Sequence, residues 1–253
     1  MNAGILARGE LRRATDGAVV PYSMALLDAG WVDAALELQS TVLAGIADPQ
    51  LVVPLSRPEF ERMAHGEGLI AGVLVEEALV GIFGLYFPGG SEENLGRDLG
   101  MPPEELSRTA HMEIAYVRTE YRGQGLQKAM MERLLEYAAG ETPFRWACAT
   151  VSPGNMASLA TVFSLGCVVV RLKRKYGGAW RYIVLREMAR PLRVDASEAV
   201  EVPVSDLGRQ LELLERGTVG YRLSGPREAP RIVFGRLEPG EGPPMRPPAA
   251  DLQ

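Results

Sequence analysis

At 253 residues, with 47% apolar residues and a net charge of −5, the chain has material for one large domain, or one domain with an addition, around a real core. The acidic balance argues against a general nucleic-acid surface. Two cysteines, Cys148 and Cys167, make neither a disulfide framework nor a zinc set. Both lie in apolar runs, which reads as buried, reduced thiols of a cytoplasmic protein. No apolar run has the length expected of a signal peptide or of a bilayer span.

Residues 1–17 read as a polar lead-in and Ala18 to Leu27 as a first strand, with Pro21 placing it near an edge or at an irregular start. Asp28 is placed to cap a helix running through Trp31 to about Ile46, whose apolar face is Val32, Ala35, Leu36, Leu38, Val42, Leu43 and Ile46. Asp48-Pro49 breaks it. Ser56, with Glu59 three residues on, has the spacing of a capping box for a short helix from Arg57 to His65. Leu69 to Val75 and Leu79 to Phe87 are β-rich runs separated by Glu76-Glu77-Ala78, an antiparallel hairpin. Residues 88–109 form a long loop carrying Glu92, Glu93, Asp98, Glu104 and Glu105. An acidic loop of this kind is expected to be a solvated surface; its functional alternative is a front for a cationic acceptor.

Met112 to Val117 alternates as a strand does, and Leu126, Met130, Leu134 and Leu135 recur as on a helix, stopped by Gly140. Between them stands Arg122-Gly123-Gln124-Gly125. Glycines at a strand-to-helix turn let the backbone bend tightly and approach a ligand. The first turn of a helix also points unpaired N–H groups forward, a seat for an anion. Arg122 adds a charge-assisted contact to the same anion. The run is not a Walker loop, since no Gly-Lys-Ser/Thr follows. It is not the dinucleotide fingerprint either, since Lys128 occupies the third glycine position.

Downstream, Phe144 to Val151 reads as a strand, Asn155 to about Leu165 as a helix closed by Gly166, and Cys167 to Leu172 and Trp180 to Met188 as two strands. A basic turn with Lys173, Arg174, Lys175, Gly177 and Gly178 joins the last two. Arg190-Pro191 marks a boundary. Ser205 to Arg216 is a helix capped by Ser205 and ended by Gly217. Thr218 to Leu223 and Arg231 to Leu237 pair as a hairpin. From Glu238 onward the Pro-rich run is expected to be disordered.

Strand, Arg-x-x-Gly, helix resembles the acyl-CoA pyrophosphate loop of the GCN5-related N-acetyltransferase (GNAT) family, with Arg122, Gly125 and Gln127 at the defining positions. Gln127 departs from the family's small residue but still supplies a backbone N–H. The second landmark, Asn-x-x-Ala/Ser with a helix ending in Gly-Phe, is met by Asn155, Ser158 and Gly166, with Cys167 in place of the aromatic. The element order over residues 18–190 is similar to that family's. The resemblance implies an α/β (α+β) fold, a mixed and mostly antiparallel sheet flanked by helices with splayed central strands. To it are added a C-terminal extension, 191–237, packed on the main domain or on a partner subunit, and a disordered tail, 238–253. A homodimer fits that picture.

The resemblance further implies acetyl-CoA as co-substrate; no metal is expected, and charge and apolar run length give no expectation of a nucleic-acid or membrane partner. The donor arm would lie between strands 111–117 and 144–151, held by Ala115, Tyr116, Val117, Arg122, Gly123, Gln124, Gly125, Leu126, Gln127, Asn155 and Ser158. The amide around Ala115 to Val117 would polarise the thioester carbonyl. Glu113 and His111 are the candidate bases. They lie two apart on one strand and so face the same way. A carboxylate among Met112, Ile114 and Ala115 suits a general base. Histidine titrates in a useful range without help, and His111 falls where relatives often carry a catalytic glutamate. Without a role, His111 merely begins the strand and is exposed, and Glu113 is a paired structural carboxylate. The family's general acid, a tyrosine seven residues after the asparagine, is replaced by Val162, followed by Phe163. Tyr116, Tyr121 and Tyr176 are the tyrosines available in its stead. The expected activity is acetyl transfer to a primary amine of a small molecule or peptide. Alternatives are a non-catalytic acyl-CoA sensor and a transferase using a longer acyl-CoA.

Overall fold

The structure is a computed structural model, and it describes residues 4–46 and 52–245. In chain order the strands and helices are β1 Ile5–Arg12, β2 Val19–Leu26, α1 Val32–Leu43, α2 Arg57–Arg62, β3 Gly68–Val75, β4 Ala78–Tyr86, α3 Leu95–Asp98, α4 Pro103–Leu106, β5 Thr109–Val117, α5 Leu126–Glu141, β6 Trp146–Val151, α6 Met156–Ser164, β7 Val168–Lys175, β8 Ala179–Glu187, β9 Val194–Pro203, α7 Leu207–Glu215, β10 Thr218–Ser224 and β11 Arg231–Leu237. The fold is mixed α/β, with mostly antiparallel strand pairing flanked by helices. Two compact units are formed, one from residues up to Phe87 with Met112–Thr142, the other from Pro88–His111 with residues from Pro143 onward.

The first unit has the strand order β1-β2-β3-β4-β5, antiparallel from β1 to β4. The lead-in expected at residues 1–17 is in part a strand, β1, and its pairing with β2 moves Pro21 from the expected edge to an interior strand, opposite Glu10. Asp28 accepts from the Gly30 N–H and caps one 3-10 turn, Ala29–Trp31, before α1 begins. The Asp48-Pro49 break lies outside the described residues. The capping box at Ser56 forms as its spacing requires. After α2 the chain kinks over Met63–Glu67, where His65 (φ −100°) and Gly66 (φ 108°) leave helical geometry. Gly84 makes room for the Met63 and Ile114 side chains, since a Cβ there would sit 2.7 Å from Met63 Cε and 3.0 Å from Ile114 Cγ1. The core joins Val32, Ala35, Leu38 and Val42 of α1 to Phe60, Met63, Ile82, Ile114 and Tyr116. Gln39, buried in it, is satisfied on both sides. It donates to Leu55 O (2.8 Å) and accepts from Leu55 N (3.0 Å) and the Tyr116 hydroxyl (3.1 Å).

In the second unit the order is β5-β6-β8-β7-β10-β11-β9. Thr109–His111 pairs in parallel with Trp146–Cys148, and the other ladders are antiparallel. The solvated loop expected at 88–109 is instead a packed segment. Leu95, Leu99, Met101 and Leu106 enter a core with Trp146, Cys148, Ile183 and Leu185. Asn94, itself buried, sets this up: Oδ1 accepts from Gly96 N, while Nδ2 donates to Gly89 O and Leu106 O. Of the loop's acids, Glu92, Glu93 and Glu104 are exposed as expected, while Glu105 accepts from the Trp146 indole at 2.5 Å and Asp98 pairs with Lys173 and Lys175.

C-terminal to β8 the sequence reading missed β9, which ends the strand order and is exposed along most of its length. An edge strand that buries neither face has no apolar alternation to detect. The β10–β11 hairpin docks on β7 through Gly220 and Val169, and β8 lies between β6 and β7. Asp206, rather than Ser205, caps α7. Gln210 of α7 is wholly buried, accepts from the Tyr182 hydroxyl (2.6 Å) and donates to Pro203 O (2.7 Å). Residues 238–245, expected to be disordered with the rest of the end, are held by Glu241, which pairs with Arg190 and Arg193 at 2.9 Å each. Residues 246–253 lie outside the described residues.

Candidate functional site

In the first unit, β5 presents Ile114 and Tyr116 to the core and Glu113 and Ala115 on its less buried face. A 3-10 turn, Thr119–Tyr121, follows, and Arg118 N–H donates to Val80 O at 2.9 Å, tying the strand's end to β4. Arg122 is folded back, its Nε donating to Val117 O at 3.0 Å. Gly123 and Gly125 both adopt the left-handed conformation, φ 78° and 74°, which costs glycine alone nothing. A Cβ on either would meet nothing within 4 Å. The glycines are therefore required by backbone shape and not by crowding where a Cβ would point.

α5 starts at Gly125 with no side-chain cap. Its first intrahelical bond runs from Ala129 N to Gly125 O, 2.9 Å, so the N–H groups of the first turn point out of the helix without an intrahelical acceptor. Leu126, Met130, Leu134 and Leu135 anchor α5 below, and the helix runs through Gly140 instead of stopping there. Gln124 is held by two bonds to β1: its Oε1 accepts from Arg12 N and its Nε2 donates to Arg12 O, both 2.7 Å. The turn is thus braced by a strand that sequence reasoning had treated as a lead-in.

Glu113 is exposed rather than embedded among its apolar neighbours. Tyr116 is directed into the core onto Gln39, and burial pushes its phenol up to about 12. A phenol so placed is a poor donor to a departing thiolate. Tyr121 is buried.

In the second unit, His111 is buried at 4% exposure, against the expectation of an exposed strand start, and its Nε2 accepts the Leu95 N–H at 2.9 Å. That bond engages the lone pair a base at Nε2 would use. Asn155 begins α6 as its N-cap, its Oδ1 accepting from Ser158 N at 3.0 Å, so what it offers a ligand is its amide NH₂. Val162, at the position where the family places a tyrosine, is buried. Tyr176 is 55% exposed and its hydroxyl lies 3.1 Å from Thr150 Oγ1. Cys148 and Cys167 are fully buried; burial raises both thiols, Cys167 to about 12, so neither is a ready nucleophile. Among the described residues no group of His, Cys, Asp and Glu is arranged to hold a metal ion, and no helix is long and apolar enough to cross a membrane.

Residues 42–162 match the profile of the acetyltransferase (GNAT) family. No curated protein matches the sequence. In fold the chain is similar to the ribosomal-protein-S18-alanine N-acetyltransferase from Escherichia coli, 16% identical with a TM-score of 0.50 over 67% of this chain and 95% of that one. It is similar also to Arabidopsis thaliana NAA60, solved in complex with acetyl-CoA, 13% identical with a TM-score of 0.53 over 66% and 98%. A Staphylococcus aureus Mu50 N-acetyltransferase matches at 10% identity, TM-score 0.50, over 67% and 99%. Each match leaves about a third of this chain without a counterpart.

Proposed function

We propose that this chain, whose residues 42–162 are a domain of the acetyltransferase (GNAT) family, transfers the acetyl group of acetyl-CoA to a primary amine of a small molecule or peptide. The observation that carries the reading is the turn before α5, with two left-handed glycines, open space before them and an uncapped helix start. Backbone N–H groups over residues 123–128 suit the donor's pyrophosphate, since the helix dipole and the unpaired donors act on the same anion. Acetyl-CoA supplies an activated acyl group as a thioester. The β5 backbone at Ala115–Val117 donates to the carbonyl oxygen as it gains charge.

Glu113 takes the role of base. It removes a proton from the acceptor's ammonium as the nitrogen attacks the carbonyl carbon. The C–N bond forms, the C–S bond breaks, the attached nitrogen gives its second proton to solvent, and the sulfur leaves as a thiolate that solvent protonates. His111 is the lesser candidate because its Nε2 is already an acceptor. Buried Val162 and core-bound Tyr116 leave no positioned phenol at the expected place, which favours a second reading, an acyl-CoA sensor without turnover. Acetyl-CoA titration by calorimetry, followed by a CoA-release screen over amines, amino acids, polyamines, aminoglycosides and peptides, tests both. Binding with release supports transfer, binding without release supports the sensor, and no binding defeats both. A panel of acyl chain lengths in the same assay tests the choice of acetyl over longer groups.

A further inference from the structure

The turn that opens α5 is tied to a strand near the start of the chain. β1 is the outermost strand of its unit and pairs with β2 along one edge. At its last residue, both backbone groups are spent on one side chain: Arg12 N–H donates to Gln124 Oε1 and Arg12 O accepts from Gln124 Nε2, both at 2.7 Å. A carboxamide carries the same donor and acceptor as a peptide unit, so Gln124 stands where a neighbouring strand would pair. Two residues on, the Ala14 N–H donates to Glu120 O, at 2.8 Å, in the 3-10 turn that follows β5. The segment leading into α5 is thus fastened twice to β1 and the turn after it, and all of these residues belong to the first unit.

Gln124 stands between the two left-handed glycines, Gly123 and Gly125. Glycine loses more conformational freedom on ordering than any other residue, so a turn with one on each side is costly to hold in a single shape. The side chain between them supplies the hold. Its two bonds close neither of the elements they join. The β1–β2 register already runs through Arg12 and Val19, and α5 starts its own ladder with Ala129 N on Gly125 O. What the bonds fix is the direction of the peptide units around Gln124, the groups that the donor reading assigns to the pyrophosphate.

We propose that the Gln124 side chain is a positioning residue for the donor, and that β1 acts through it as part of the donor site. The strand holds the glycine turn in its anion-receiving shape before acetyl-CoA arrives, so that binding does not have to order it. The coupling runs both ways: a ligand that prefers the held turn also stabilises the strand that holds it. The inference rests on the reading of the α5 start as the donor site.

The test titrates acetyl-CoA into the full chain by calorimetry, with hydrogen exchange over residues 130–135 of α5 reporting that each variant is folded. Gln124→Ala removes both bonds and should weaken binding about tenfold, the scale of two neutral hydrogen bonds. Gln124→Glu should be weaker still at pH 7, because a carboxylate has no donor for Arg12 O and its charge opposes the anion. Near pH 4 a glutamate side chain is largely protonated and again carries one donor and one acceptor. Measured against the wild type at the same pH, Gln124→Glu should then bind more tightly than Gln124→Ala and approach the wild type. Relief of charge alone would bring it only level with Gln124→Ala, and that result overturns the proposal. In the wild type, acetyl-CoA should also slow hydrogen exchange over residues 5–12, and do so less in Gln124→Ala. Equal protection in the two chains, or equal affinity, overturns the proposal while leaving the donor site standing. Failure of acetyl-CoA to bind the wild type strikes the donor reading itself.

Discussion

α5 and α6 begin in opposite ways. α6 is closed by its own side chain, with Asn155 accepting from Ser158 N–H. α5 begins on a left-handed glycine, makes no side-chain cap and has empty space before Gly123 and Gly125. Both starts follow a strand and both resemble a motif of one family, but of the two only α6 has a side-chain cap. A capped start is explained by folding alone. α5 shares its lack of a side-chain cap with α1 and is set apart by the two left-handed glycines that lead into it.

The largest test of that contrast is Gly125→Asp. Aspartate tolerates the left-handed conformation better than most residues, so the fold should survive. Its carboxylate would sit where an anion is proposed and would cap the very N–H groups meant for it. Acetyl-CoA affinity should fall by roughly 1,000-fold, about 4 kcal/mol or two charge-assisted bonds, measured by calorimetry. Unchanged affinity in a folded variant would remove α5 from the donor site.

Next comes the strand that leads into α5. Glu113→Gln should lower kcat by about 100-fold, the scale of a general base, and abolish the acidic limb of the pH–rate profile, with acetyl-CoA affinity nearly intact. If His111→Ala does this and Glu113→Gln does not, the two exchange roles.

The self-capped helix predicts a smaller effect of another kind. Asn155→Ala should cost about 1 kcal/mol of stability, read from the denaturant midpoint, while acetyl-CoA affinity changes less than about threefold. A tenfold loss of affinity would show that the Asn155 amide also serves the donor, and the contrast between the two helix starts would then be one of degree.

The smallest effect concerns the chain's end. Hydrogen bonding from Arg190, against burial and aided by Arg193, holds the Glu241 carboxyl down at about 2. A depressed carboxyl stabilises the folded state above its unfolded titration, near 4.5, and that contribution is lost as pH falls toward 2. Hydrogen exchange over residues 190–245 should therefore quicken between about pH 4.5 and 2. Glu241→Gln should show the faster exchange already at pH 7 and lose the acid dependence. No change in either would mean that the clamp does not hold the chain's end.

What the sequence by itself determined are the features whose cause lies within a few residues. The β3–β4 hairpin follows from two β-rich runs and a short turn, the Ser56 capping box from a three-residue spacing, and the α5 start from its glycines. These depend on backbone sterics and local hydrogen bonds, which neighbouring residues set whatever the rest of the chain does. Tertiary structure alone decided the rest. Gln124 holds Arg12 from 112 residues away, and no periodicity records such a bond. Leu95, Leu99 and Leu106 sit among charges that outweigh them in any local reading, until β6 and β8 supply a surface to bury them. β9 is a strand only because β11 offers it an edge. His111 and Glu113 share a strand and an alternation, yet one is buried onto the Leu95 amide and the other meets solvent, because burial is set by what packs against a face and not by the face's own sequence.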